Sequence, residues 1–328
     1  MTAAPDGPDR KGPESPRLAY RRALIELAAA DERVICLDSD TGGLENTFGT
    51  RFPERYVNVG IAEANMFGIA AGLASRGYLP YVHTMATFAT MRAAEQLKID
   101  IVGNELPVRI VATHAGLSAT HFGTTHYGLE DLAVARALMD LTVVVPADAS
   151  EIGPALRSLH ALPGPAYLRL GRSATPAVHD IVPRFELGRM VTLRTGDDVT
   201  LMAMGPFPVL MALQAADELL ADGVRCRVVQ VHTLSPLDTG TVVRAARATA
   251  GLVTVEEHRP HGGLGDAVAE TAGEHCPVPH LRVAVRGRVG TVVRGHREAL
   301  EEAGVSAAAI GAAALRVIGK PEAVEVDA

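Results

Sequence analysis

Between Leu18 and Leu170, short aliphatic and β-branched runs alternate with stretches of helical periodicity, and this alternation constrains the fold more than any other feature. Strands are predicted at Val34–Asp38, Tyr56–Val59, Leu79–His83, Val108–His114, Thr142–Pro146 and Ala166–Leu170. Helices are predicted near Leu18–Ala30, Ala62–Ser75, Phe88–Val102, Leu132–Leu138 and Ser150–Leu159. Apolar strands separated by helices suit a parallel sheet covered on both faces. A second series follows, with strands at Val199–Met204, Arg225–Val231, Leu252–Glu256 and Leu281–Val285 and helices near Pro208–Leu220, Thr239–Ala248 and Gly265–His275. The Ala-rich Ser306–Ala314 stretch reads as one more helix. The expected fold class is α/β with two domains, each a mainly parallel sheet flanked by helices. The expected divisions are a loose tail over 1–16, a first domain over 17–172, a Pro/Gly-containing linker over 173–197 and a second domain over 198–328.

A chain of 328 residues with 48% hydrophobic content can bury a core in each half. Its formal charge of -7 gives no reason to expect nucleic acid or an anionic membrane as partner. Every apolar run is interrupted by charge, Gly or Pro well short of a membrane span. The N-terminus lacks the apolar segment of a signal peptide. Cys36, Cys226 and Cys276 are widely separated and odd in number, which suits a reducing cytoplasm better than a disulfide framework or a zinc site.

Ligands of open α/β sheets sit beyond the carboxyl ends of the strands. Asp38–Asp40, Gly60–Glu63, His83–Phe88 and His114–His126 fall at those ends. In Gly60-Ile61-Ala62-Glu63-Ala64-Asn65-Met66, one acid enters an apolar helix, which is costly unless a polar group meets it. Taken alone, Glu63 could equally be a first-turn acid favoured by the helix dipole. Met85, Phe88 and Met91 share a spacing of three that fits a core stripe or the wall of a ring-binding pocket. His114 and His126 bracket a Gly-containing turn, and neutral imidazoles there could hold a hydroxyl or carbonyl and relay protons. Loop histidines are otherwise usually exposed and idle. His83 and His121 carry no further signal. In the second domain, Glu256-Glu257-His258 and Gly262-Gly263-Leu264-Gly265 follow a strand and open a helix, as a phosphate cradle would. They lack both Gly-x-Gly-x-x-Gly spacing and a P-loop lysine.

The Glu63 segment, His114-Ala115-Gly116-Leu117-Ser118 and Thr125-His126-Tyr127-Gly128-Leu129-Glu130-Asp131, in this order, resemble the pyrimidine-binding domain of transketolases. The resemblance extends from about Leu18 to Ile318 and includes the family's C-terminal domain. It implies that Glu63 meets the pyrimidine ring nitrogen of thiamine diphosphate, with Phe88 as stacking face and Ile61, Met85, Met91 and Asp40 near the cofactor. It implies catalytic roles for His114 and His126, with Glu63. It implies a substrate phosphate held by Arg172, with Arg21 as a second such arginine; a surface salt bridge is the plain alternative for either. Two positions depart from the family. Phe122 stands where an aspartate usually meets a substrate hydroxyl, and Leu44 stands where a serine usually assists. Phe122 implies a donor or acceptor unlike an ordinary ketose phosphate.

The Gly-Asp-Gly that binds the diphosphate through Mg2+ is missing; Gly196-Asp197-Asp198 is the nearest string. No metal ligand is therefore expected in this chain. The resemblance implies a partner, an N-terminal transketolase subunit that carries the diphosphate and Mg2+ site, in an α2β2 heterotetramer. The activity implied is transfer of a two-carbon ketol unit from a ketose to an aldehyde, on sugars or sugar phosphates. Two rivals remain at this stage: the β subunit of a 2-oxoacid dehydrogenase and a non-catalytic scaffold descended from such an enzyme.

Overall fold

In the computed structural model, the structure describes residues 13–319 apart from 139, 182–183 and 291–294. The first sheet is built from β1 (Val34–Asp38), β2 (Tyr56–Asn58), β3 (Leu79–Met85), β4 (Arg109–Thr113), β5 (Thr142–Val144) and β6 (Ala166–Arg169). All six run parallel, in the order β5-β6-β4-β3-β1-β2. The second sheet takes β7 (Val191–Arg194), β8 (Val199–Met204), β9 (Cys226–Gln230), β11 (Leu252–Glu256) and β12 (His280–Val283), in the order β12-β11-β8-β9-β7. The predicted α/β class with two mainly parallel sheets is what the chain forms. One strand crosses between the halves: β10 (Thr233–Ser235) belongs to the second series yet pairs antiparallel with β5.

Helices α1 (Pro16–Ala30), α2 (Glu63–Ser75), α3 (Ala86–Met91), α4 (Ala94–Gln96), α5 (Asp131–Ala137) and α6 (Ala149–His160) cover the first sheet. The second carries α7 (Pro206–Ala221), α8 (Thr239–Ala248), α9 (Leu264–His275), α10 (His296–Glu302) and α11 (Ala307–Val317). Helix α2 buries Met66, Phe67, Ala70, Ala71 and Ala74, the i, i+3/i+4 stripe that seats it on the sheet, and Gly77 at φ 89° closes its C-terminal end. The alanines and glycines of α2 let it lie close to the strands. Glu63 thus enters the protein at the carboxyl end of β1 and β3. Among the described residues, no helix is long and apolar enough to cross a membrane.

Two expectations are corrected, and the phosphate cradle that the sequence supported only weakly is absent. The stretch 173–197 is not wholly linker, because Val191–Arg194 forms β7, antiparallel to β9 at a sheet edge. Residues Val178 and His179, within that stretch, are fastened by their N–H groups to the Asp148 carboxylate. The single helix expected over Phe88–Val102 is broken: α3 ends at Met91, and the chain resumes as α4 before the wider turn of Leu97–Val102. The phosphate cradle suggested by Gly262–Gly265 is closed, since Glu256 Oε2 and Oε1 accept from the N–H groups of Leu264 (2.7 Å) and Gly265 (2.8 Å). Residues 1–12 of the expected tail lie outside the described residues; Glu14 already bridges to Thr175.

A buried ion pair fixes the loop that carries His114 and His126. Asp131, at the start of α5, takes Arg169 Nε (2.8 Å), Arg169 Nη2 (3.0 Å) and the Tyr167 hydroxyl (2.9 Å). Arg169 Nη2 also donates to the carbonyls of Gly128 and Glu257. Removing one member of such a pair leaves a buried charge uncompensated. Asp131→Ala is expected to lower unfolding stability by about 3–5 kcal/mol in a urea titration. Asp131→Leu combined with Arg169→Met should cost less than the single change; an equal or larger loss would contradict this.

Candidate active site

The carboxyl ends of β1, β3, β4 and β6 converge, and the polar groups there fall into three neighbouring clusters. The first surrounds Glu63, whose residue exposure is 1%. Its Oε2 accepts from Arg92 Nη1 at 2.6 Å, and the Arg92 guanidinium lies 4.3 Å above the Phe88 ring centroid. Phe88 and Arg92 are four residues apart on one helical face, which brings ring and cation together. A planar, N–H-donating group, the Arg92 guanidinium, thus bridges the buried carboxylate and the aromatic face. Met85 is half-buried beside this site, whereas Met91 is 51% exposed and Ile61 is 72% exposed. Ile61 and Met91 do not line an enclosed niche within this chain alone.

The second cluster is aromatic. His126 meets the Phe88 ring edge-on at 5.3 Å and lies 4.8 Å from Phe122, which in turn stands 4.1 Å from His121 and 6.2 Å from His114. Phe122 thus forms a wall among three histidines, 42% exposed, and offers no hydrogen-bond acceptor there. His114 and His126 are thus joined to Phe88 through one continuous series of ring contacts.

The histidine His114 sits at φ 55°, a left-handed backbone that is costly for a non-glycine residue. The turn after it is braced from the second domain. Glu257 Oε1 accepts from the Leu117 N–H (2.6 Å) and lies 2.6 Å from His296 Nε2. A Cβ at Gly116 (φ +61°) would come within 2.2 Å of that carboxylate, so no larger residue fits the turn. Thr113 gives its hydroxyl hydrogen to the carbonyl of Thr84 (3.1 Å), so its oxygen accepts from His114 Nδ1–H (2.9 Å). His114 Nε2 is left as a bare acceptor.

The third cluster is cationic. Arg17 and Arg21, one turn apart on α1, both donate to the carbonyl of Gly42, at 3.0 and 2.7 Å. Gly43 at φ +95° permits this contact, since a Cβ there would come within 2.4 Å of the Arg21 guanidinium. The Nε atoms of both arginines are buried without a partner. Arg172, on the loop after β6, adds a third positive charge that acts on Arg17. Burial, then the Arg21 and Arg172 charges, lower the Arg17 pKa. Burial, followed by the Arg17 and Arg172 charges, lowers His114 to about 3, so its ring is neutral. A partly buried concentration of positive charge of this kind suits an anion.

Asp38, not Asp40, is the buried acid at the end of β1. Asp38 Oδ1 accepts from the Thr41 N–H (3.2 Å) and hydroxyl (2.7 Å), and Oδ2 from the Tyr56 hydroxyl (3.0 Å). Burial works to raise its pKa, but His83 and Thr41 outweigh that and hold it at about 2. With its hydrogen given to Asp38, the Thr41 hydroxyl accepts from His83 Nδ1–H at 2.6 Å. His83 Nε2 is then a buried acceptor with no partner. Asp40 is exposed in the following turn at φ 60°, and Leu44, at the expected serine position, is wholly buried core. Among the described residues, no group of three His, Cys, Asp or Glu side chains could hold a metal ion.

The sequence reading gave four contributors no place at this site: Arg17, Arg92, His296 and Glu257, which it quoted only for a phosphate cradle. A signal existed for Arg17, since it precedes Arg21 by four residues and shares its helix face. Glu257 and His296 act across the domain boundary and had no local signal.

The neutral His114 ring makes the stability of the fold depend on pH. Between about pH 6.5 and 3 the unfolded chain binds a proton there that the folded chain does not, so stability falls as pH falls through that window. His114 contributes a slope of up to about 1.4 kcal/mol per pH unit. His114→Gln should flatten the decline in urea midpoint between about pH 6.5 and 4.5 relative to the unaltered chain. An unchanged slope would mean that His114 is charged in the fold.

The chain matches the family described as "Transketolase, pyrimidine binding domain" over residues 15–178 and "Transketolase, C-terminal domain" over residues 188–310. It is 38% identical to the 6-deoxy-6-sulfo-D-fructose transketolase subunit SqwH of Clostridium sp. (strain MSTE9), over 84% of this chain and 86% of that protein. It is 35% identical to one subunit of the apulose-4-phosphate transketolase of Phocaeicola vulgatus, over 80% of this chain and 85% of that one. A solved structure described as "Split gene transketolase, inactive beta4 tetramer" superposes with a TM-score of 0.85 at 39% identity, over 94% of this chain and 99% of that chain. Transketolase from Campylobacter jejuni shares the fold, at a TM-score of 0.77 and 20% identity over 94% of this chain and 48% of that chain. The chain belongs to the transketolase family and has the two domains of a split-gene transketolase subunit.

Proposed function

We propose that this chain is the pyrimidine-binding subunit of a two-chain, thiamine diphosphate-dependent transketolase that moves a two-carbon ketol unit from a ketose to an aldehyde. The observation that carries this reading is the buried Glu63 carboxylate and the nearby Phe88 ring meeting one flat N–H donor, the Arg92 guanidinium, in the way an aminopyrimidine would be met. When bound, the cofactor supplies the carbon nucleophile that takes up and releases the two-carbon unit. Glu63 holds the hydrogen of the aminopyrimidine ring nitrogen, and Phe88 orients the ring. The bare Nε2 of His114 accepts a hydrogen bond from a substrate hydroxyl, while His126 closes the mouth beside Phe88. The diphosphate and Mg2+ belong to a companion N-terminal subunit, in an α2β2 heterotetramer. That the similar split-gene structure is described as an "inactive beta4 tetramer" supports the need for such a companion. Three free cysteines, two of them buried, support a cytoplasmic setting.

For the substrate, the cationic cluster of Arg17, Arg21 and Arg172 supports a sugar bearing a terminal anion. The relatives' names specify a sulfonated and a phosphorylated sugar. Either group would be met by guanidinium forks.

Glu63→Gln keeps the shape and loses the carboxylate. With the companion chain present, ketol transfer should drop by about a hundredfold or more. Activity near that of the unaltered complex would remove Glu63 from the mechanism. Phe122→Asp should raise kcat/KM by about tenfold for aldehydes with a hydroxyl beside the carbonyl, through one added charge-assisted hydrogen bond. An unchanged substrate profile would remove Phe122 from specificity.

A further inference from the structure

Arg92 makes, within this chain, the two contacts that the proposed function assigns to the cofactor ring. Its Nη1 donates to Glu63 Oε2 at 2.6 Å, and its guanidinium lies over Phe88 at 4.3 Å. No other side-chain hydrogen-bond partner of Arg92 occurs among the described residues. The Glu63 side chain is 2% exposed and that of Arg92 is 44% exposed. The acid is fixed and enclosed, and the base reaches in from solvent on a flexible stem. A guanidinium resembles a protonated aminopyrimidine in being flat, delocalised and rich in N–H donors.

We propose that Arg92 is a built-in occupant of the aminopyrimidine subsite. It neutralises Glu63 while the chain is without cofactor, and it competes with thiamine diphosphate for the same carboxylate and ring. The physical need is plain, because a buried carboxylate without a donor is costly and this chain contains no other cation against Glu63 among its described residues. Position favours an exchangeable contact over a permanent one. Arg92 lies just past the end of α3, where its N–H still bonds to the Phe88 carbonyl at 3.1 Å, so the backbone stays anchored while the side chain swings outward. The open form is the one that admits cofactor, and apparent affinity is reduced by the fraction of time Arg92 is in place. Cofactor binding and release of the Glu63–Arg92 pair are thereby one event. The inference rests on the proposed cofactor site but adds a residue and a cost that the site itself does not require.

The test uses Arg92→Leu, which keeps much of the stem and removes every donor. Thiamine diphosphate with saturating Mg2+ is titrated by calorimetry into the assembled two-chain complex. Separately, the urea midpoint of the isolated chain is measured for Arg92→Leu, Glu63→Gln and the double variant. The expected results are about tenfold tighter cofactor binding by Arg92→Leu, and a loss of midpoint that is largely absent in the Glu63→Gln background. Unchanged binding would show that Arg92 does not compete, and weaker binding would make it a cofactor ligand; either overturns the proposal. Additive midpoint losses would dissolve the pair itself. Absence of cofactor binding by both the unaltered and Arg92→Leu complexes would instead bring down the proposed function, and the occupant with it.

Discussion

A carboxylate that is almost wholly enclosed cannot stand alone, and Glu63 is such a group. The helix behind it packs Met66, Phe67 and Ala70 against the sheet, and none of its described side chains donates to the acid. Its donor comes from the chain beyond α3, where Phe88 and Arg92 share a face. Much of the first domain can be understood as scaffolding for this encounter. Parallel strands deliver the start of α2 and the end of β3 to one edge, and the small residues of α2 let the helix lie low enough to bury the acid.

A second constraint is electrostatic. Arg17 and Arg21 point at one carbonyl, Arg172 adds to the same field, and the buried acid Asp38 is already committed to Thr41 and Tyr56. Positive charge therefore accumulates near His114 and, together with burial, keeps that ring neutral. Neutrality is what gives His114 a free acceptor nitrogen, with Thr113 fixing the tautomer. The strained backbone at His114 persists because the second domain reaches across to brace the next turn through Glu257 and His296. The two domains are coupled at the point where the substrate would enter, which gives the second domain a part in shaping the site.

The parallel sheets, the apolar setting of Glu63 and the pairing of His114 and His126 about one turn were legible in the sequence, because each depends on spacing along one or two elements, whereas Phe122 entered only through the family resemblance. Strand β7 was lost to a Gly/Pro-rich context: it is four residues long, half-exposed and at a sheet edge, so its periodicity is weak. The broken helix after Phe88 was missed because the apolar pattern continues across the break at Arg92 and Ala93. Arg21 was read and Arg17 was passed over although it shares Arg21's helix face, because only the position of Gly42 shows that the two act together. Glu257 and His296 meet the His114 loop only after both domains fold. Arg92 reads in sequence as an ordinary exposed arginine, and only the geometry gives it a place over Phe88.

The central claim is that Glu63 recognises one ring nitrogen of the aminopyrimidine. Calorimetric titration of the assembled complex with thiamine diphosphate, and with an analogue carrying CH in place of the ring nitrogen opposite the amino group, isolates that contact. The account predicts at least about tenfold weaker binding of the analogue, the worth of one charge-assisted hydrogen bond. Equal affinities for the two compounds would contradict it.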